Sequence, residues 1–321
     1  MPDSMPKTRP KSLNWQQVGR WLGLLIVLVA SVYFVIEVSR NLEELRAIRW
    51  DQSTAAALFL SLLGMLVVVI LGGVMWGILL HDQGGNLSML QAIQITTIAQ
   101  IAKYLPGNVG HFIGVATLTT AAGVPLGIVV GSLLISTLWL LSLGTGMGAV
   151  ALLFFVDVPG LNDEIIINLP FLLVLGLVLA SLPWICIPLV NRFLPGLANK
   201  LSHGGSINVP RFRTGLALGM GFLLCFFIFG LLLKIQAHLL FGIEGGDVIS
   251  LTFLFTAAWV AGYVMPGAPG GLGVREAMML ILLSPVMGPA AAAGVGIFMR
   301  IASIGGDGLA FLFGWGLKKI A

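Results

Sequence analysis

Residues 260–280 read VAGYVMPGAPGGLGVREAMML. An apolar run stops at two prolines and five glycines, meets an Arg–Glu pair at Arg275 and Glu276, and becomes apolar again. A hydrophobic chain that breaks its backbone and places opposite charges directly after the break needs a reason, and the surrounding sequence supplies it.

Of the 321 residues, 58% are hydrophobic and 9% are charged, whereas a soluble domain carries roughly a quarter charged residues. Apolar runs of about 18 residues or more, enough to cross a bilayer, recur from one end to the other. The chain therefore reads as an all-α polytopic membrane protein with no room for a sizeable soluble domain. The formal net charge of +4 does not point to nucleic acid, because the basic residues flank apolar spans, where membrane topology accounts for them. Cys186 and Cys225 lie inside apolar segments and read as packing residues, not as a metal or disulfide framework.

Six continuous spans are expected, at 21–38, 54–80, 124–156, 166–190, 214–240 and 289–316. Lys7, Arg9, Lys11 and Arg20 precede the first. No convincing small-x-small cleavage pattern follows it, so a retained helix is expected. The loop at 157–164 is acidic. The loop at 191–213 holds Arg192, Lys200, Arg211 and Arg213 and no acidic residue, and Lys318 and Lys319 follow the last span. The positive-inside rule places that loop and both termini in the cytoplasm, with the chain in a bacterial-type inner membrane.

Two apolar stretches, 88–122 and 248–284, are each interrupted by proline and glycine. Since the six spans already account for the charge distribution, each stretch is expected to leave and return on one side, as a re-entrant pair of half-helices. Two short full spans per stretch satisfy the same count. The breaks also resemble each other: YLPGNVG begins at Tyr104 and YVMPGAPGG at Tyr263, with Pro106–Gly107 and Pro266–Gly267 separated by 160 positions. Thr54 pairs with Thr214, and Val156 with Gly316, at the same offset. The expected organisation is a basic segment, first helix and loop (1–53), a first repeat (54–156), a linking helix and basic loop (157–213) and a second repeat (214–321). Entry from opposite sides makes the repeat inverted, an arrangement that in transporters places the substrate site near the midplane among discontinuous helices.

PGGLGVREA at 269–277 and its weaker partner KYLPGNVGHF at 103–112 resemble signatures of the lysylphosphatidylglycerol synthase transmembrane-region family, the flippase-like integral membrane proteins. The resemblance covers most of the chain, from about the second span onward. Members include the lipid-flipping half of aminoacyl-phosphatidylglycerol synthases and stand-alone proteins linked to glycolipid or hopanoid lipids. No soluble aminoacyl-transferase domain is expected within these residues, so the resemblance implies lipid translocation and not lipid synthesis.

Unpaired backbone groups cost several kcal/mol each in hydrocarbon, so a break must line a cavity or pack against protein. New half-helices should begin near His111 and Val274, and their free N–H groups and positive dipole ends suit an anion such as a phosphodiester. Gly107, Gly110, Gly267, Gly270, Gly271 and Gly273 let a substrate approach the backbone, with Asn108 and His111 beside them. Arg275 and Glu276 project about 100° apart on a helix, which argues against mutual pairing. Glu276 with Arg300 is the preferred pair, and Asp307 lies seven residues further along nearly the same face. That arrangement leaves Arg275 and Lys103 to face anionic substrate. A fixed ion-pair network is the competing reading of these charges, and Lys103 also has the option of snorkelling to the headgroups.

Elsewhere, Gly123, Gly127 and Gly131 read as a helix-packing stripe, and GTGMG at 144–148 reads as a flexible or closely packed point. Lys234 and His238 read as interfacial. No GxxxxGK[ST] phosphate loop is present, so no ATP hydrolysis by this chain is expected. The function expected is translocation of an anionic or glycosylated lipid between leaflets, with no catalytic residue, metal or cofactor. The alternatives are an intramembrane lipid-modifying transferase using Glu276 or Asp307 as base, and a small-solute carrier of the same architecture. The partners expected are membrane lipids with an anionic phosphate, with no nucleic acid and self-association left open.

Overall fold

The computed structural model describes residues 51–104, 109–155, 169–196, 207–265 and 269–317, with isolated helical positions at 32, 36, 39 and 199. Apart from positions 32 and 36, the first expected span lies outside the described residues, as do the acidic loop, Lys200, Lys318–Lys319 and the Pro–Gly pairs at 106–107 and 266–267. The ordered elements are α1 (Gln52–Asp82), α2 (Met89–Ala99) continuing into a 3₁₀ turn (Gln100–Tyr104), α3 (Gly110–Ala121), α4 (Leu126–Phe154), α5 (Leu169–Phe193), α6 (Phe212–Phe241), α7 (Val248–Val264), a second 3₁₀ turn (Pro269–Gly271), α8 (Val274–Met287) and α9 (Pro289–Leu317). No strand occurs among the described residues. Helices α1, α4, α6 and α9 are each long and apolar enough to cross a membrane, as expected for an all-α polytopic membrane protein.

Local chemistry sets the helix ends. Asp51 accepts from the Ser53 and Thr54 amides at the start of α1, and Asp247 does the same for Ile249 and Ser250 at the start of α7. Ser88 and Gln91 form a reciprocal capping box on α2. Gly242, at φ 66°, closes α6 in the left-handed conformation that a helix end favours in glycine. Each cap satisfies amides or carbonyls that the helix itself leaves unpaired.

Helix α1 packs on α6, α9 and α2, while α7 packs on α4, α6 and α8. Small residues make these contacts close, as bilayer-embedded helices generally require. Gly73 and Gly77 of α1 face Thr96 and Ala92 of α2, and Gly306 of α9 faces Met65 of α1. Gly144 and Gly148 of α4 receive Val260 and Ala257 of α7, so the GTGMG segment is a point of close packing. The proposed stripe at 123–131 is corrected. Gly123 adopts φ +91° in the turn after α3, and neither it nor Gly131 has a neighbour within 4 Å of an added Cβ. The glycine at 123 answers to a turn, not to a helix crossing. Cys225 is buried among Met75, Leu79 and Trp139 in the core between α1, α4, α5 and α6.

Long-range contacts fix which helix ends share a level. Near the end of α1, Trp76 donates to Ser132 in the second turn of α4 at 3.1 Å. Asp82, the last residue of α1, accepts from the Arg211 amide just before α6 at 2.9 Å. Phe155, after α4, meets Phe253 in the second turn of α7. Gly246, between α6 and α7, lies against Val286 near the end of α8. The Gln94 amide of α2 donates to the Gly314 carbonyl near the end of α9 at 3.4 Å.

Candidate functional site

The two breaks meet. The 3₁₀ turn after α2 touches the 3₁₀ turn before α8, and an added Cβ at Gly270 would lie 3.8 Å from the Tyr104 ring and from the Arg300 guanidinium. The helical runs stop at Tyr104 and Val264, shortly before the proline–glycine pairs in the sequence, and α3 and α8 begin at Gly110 and Val274, beside the residues expected to start them.

In the second break the backbone turns through Gly270, Gly271 and Gly273 at φ +59°, +73° and +80°, a region where a side chain is strained. A Cβ added at Gly271 would lie 3.3 Å from the backbone of Gly262 on α7, and one on Gly262 would sit 2.9 Å from the Cβ of Arg275. Glycine on both sides thus lets the break fold flat against α7. Arg300 reaches across from α9 and donates to the Gly270 carbonyl at 2.9 Å.

Glu276 turns back toward the start of its own helix, where its Oε2 accepts from the Gly273 amide at 2.8 Å. Its Oε1 lies 3.3 Å from Arg275 Nη2 and 3.5 Å from Arg300 Nη1. The Glu276–Arg300 pair is therefore present. The expectation that Arg275 and Glu276 would avoid each other is corrected: once Glu276 caps the helix, its carboxylate lies within the reach of the long arginine arm despite their divergent Cα–Cβ directions. The start of α8, expected to suit an anion, thus already has the chain's own carboxylate beside it, held on the Gly273 amide. All three side chains are largely buried, with 12% of Arg275, 15% of Arg300 and 6% of Glu276 exposed. The Arg275 Nε is buried and has no partner among the described residues.

The first break is built differently. Its helix α3 starts from Val109 with no side-chain cap. Lys103 Nζ lies 2.6 Å from Asp307 Oδ2, and the Tyr104 hydroxyl donates to the same oxygen. Lys103 is thus an ion-pair partner, which corrects its reading as a free cation or a snorkelling side chain; its side chain is 31% exposed while that of Asp307 is 5%. His111, in the first turn of α3, hydrogen-bonds the Ala99 backbone, and its Nδ1 is buried without a partner among the described residues. Gly110 is buried at the start of α3. Gly107, Asn108 and Gly267 lie outside the described residues.

Helix α9 therefore carries both connections: Arg300 holds the second break and Asp307 the first. Tyr104 was missed as a site residue. The available signal was positional, since the chain has three tyrosines and two of them, Tyr104 and Tyr263, adjoin the breaks. Lys234 and His238 lie apart from this cluster. Lys234 donates to the Glu244 carbonyl, and His238 Nδ1 is 2.9 Å from the exposed Glu244 carboxylate.

Comparison with known families agrees with this architecture. Residues 20–306 match the family described as the lysylphosphatidylglycerol synthase TM region. No curated protein matches the chain. The family match covers most of the sequence, and the chain belongs to this lipid-related family of membrane proteins.

Proposed function

We propose that this member of the lysylphosphatidylglycerol synthase TM-region family translocates a lipid with an anionic phosphate or glycosylated headgroup between leaflets, without ATP and without catalysing a reaction. The observation that carries the reading is the meeting of two broken helices around three cations and two carboxylates, linked through α9. Charges inside a membrane are expensive and commonly mark a pathway. Broken helices at depth expose backbone polar groups that a polar headgroup can use.

The arrangement of helix ends supports re-entrance. The turn from α1 into α2 and the turn from α3 into α4 lie at one level, the level of Trp76, Ser132 and Arg211. The turns from α6 into α7 and from α8 into α9 lie together at Gly246 and Val286. Helix α6, at 30 residues and about 1.5 Å per residue, spans the distance between those levels. Packing supports the repeat as well. Exchanging α1, α2, α3 and α4 for α6, α7, α8 and α9 turns α2–α9 into α7–α4 and α1–α2 into α6–α7, and all these pairs are in contact. We infer an inverted repeat whose breaks meet between the leaflets, in an inner membrane with the 191–213 loop in the cytoplasm.

The test is translocation of a fluorescent anionic phospholipid in reconstituted vesicles. Wild type moves it; Arg275→Ala is expected to insert and fold but lose transport. Arg275→Lys is expected to keep part of it, because lysine retains charge and loses the planar fork that grips a phosphate. A folded Arg275→Ala protein with wild-type transport refutes the reading. Impermeant labelling of single cysteines tests the sides: one in 191–213 should be protected from outside and one in 157–164 should react.

A further inference from the structure

We propose that Glu276 sets the charge of the headgroup accepted at the junction, selecting a singly charged phosphodiester over a doubly charged phosphomonoester. The inference deepens the transport reading and rests on it.

The argument is a charge count. Asp307 is matched by Lys103 at 2.6 Å. Glu276 is shared by two guanidiniums, Arg275 at 3.3 Å and Arg300 at 3.5 Å. One positive charge is left over, on side chains that are 12% and 15% exposed. The Arg275 Nε is a buried donor with no acceptor among the described residues, so the surplus charge comes with an unused hydrogen bond. The carboxylate of Glu276 is anchored by the Gly273 amide at 2.8 Å and stays in place as part of the count.

A phosphodiester brings one negative charge and closes the balance. A phosphomonoester dianion leaves one negative charge uncompensated in a poorly solvated site, where an unpaired charge is strongly disfavoured. Replacing Glu276 by glutamine preserves shape and an acceptor for Gly273 while raising the surplus to two, the number that suits a dianion.

The other titratable groups at the junction are Tyr104, which donates to Asp307, and His111, which is bonded to Ala99. Gly262, the α7 residue packed on Arg275, carries none. Any titration of these groups affects both lipids, so the ratio between lipids isolates the headgroup charge.

The experiment measures binding of phosphatidylglycerol and of phosphatidate to the full chain in nanodiscs, below and above the monoester's second ionisation, which lies near pH 6. In wild type the phosphatidate-to-phosphatidylglycerol affinity ratio should fall about tenfold as phosphatidate becomes a dianion. In Glu276→Gln the ratio at high pH should rise by about tenfold or more over wild type. A wild-type ratio that rises with pH, or a folded Glu276→Gln protein with an unchanged ratio, overturns the proposal. If Glu276→Gln does not fold, the wild-type pH comparison decides alone. If wild type transports anionic lipid but shows no preference between the two, this inference fails and the transport reading stands. If wild type neither binds nor moves either lipid, both fall.

Discussion

The two breaks use the same device and finish it in opposite ways. The second break is completed from its own half: three left-handed glycines turn the chain, Glu276 caps the new helix, and Arg275 and Arg300 surround that carboxylate. The first break has no acidic residue of its own, and its helix α3 begins uncapped. Its lysine and tyrosine both depend on Asp307, which belongs to the other half of the molecule. Two breaks that meet can thus differ in where their charges come from. The second break is self-contained, and the first is held closed from across the interface.

The largest effect is expected from Arg300→Ala. It removes the cation that holds both the Gly270 carbonyl and Glu276, leaving Arg275 as the carboxylate's remaining cation. A loss of about 3 kcal/mol is expected from the lost charge-assisted hydrogen bond, read as a lower melting temperature in detergent. A variant as stable as wild type would show that the second break does not depend on α9.

Gly262→Val tests the close approach of α7 to the second break, where even a Cβ would meet Arg275 at 2.9 Å. Overpacking should cost about 1–3 kcal/mol. The corresponding contact of the first break, Gly114 against Ala99, leaves 3.2 Å, so Gly114→Ala should cost less than Gly262→Ala. Equal costs in thermal unfolding would remove this distinction.

Hydrogen exchange compares the breaks directly. The Gly273 amide, held by the Glu276 carboxylate, should exchange about tenfold or more slower than the Gly110 amide at the start of α3, where no side chain caps the helix. Asp307→Asn should widen the gap by loosening the first break. Equal protection in wild type would contradict the claim that the first break is the weaker one.

The smallest effect is expected at Asp247, far from the junction. Hydrogen bonds from Ser250 and then Ile249 hold its carboxyl below the usual carboxylate range. Since the folded value is depressed, the stabilisation is present at neutral pH and is lost as pH falls through that folded value. Asp247→Ala should cost about 1 kcal/mol at neutral pH and progressively less in acid. A penalty that grows on acidification would contradict the assignment of the cap.

Much of this was legible in the sequence because it depends on local chemistry. A long apolar run has few alternatives to a helix in a membrane, and clustered proline and glycine, as in PGAPGG at 266–271, disfavour helix far more than the single prolines that α5 and α8 accommodate. The breaks after Tyr104 and Val264 and the restarts expected near His111 and Val274 follow from residues a few positions apart, as do the caps at Asp51, Ser88 and Asp247 that the structure added. The family resemblance rests on the same local segments.

The pairing of charges was decided by the tertiary structure. Lys103 and Asp307 lie far apart along the chain, and nothing in either neighbourhood names the other. Arg275 and Glu276 show the same limit at the shortest range: adjacency predicted divergence, but the Gly273 amide draws the carboxylate back within reach of the arginine. A helix is specified by neighbours in sequence because its hydrogen bonds are local. An ion pair between long flexible side chains is specified by where the backbone ends, and that position is fixed only when α9 packs against both breaks.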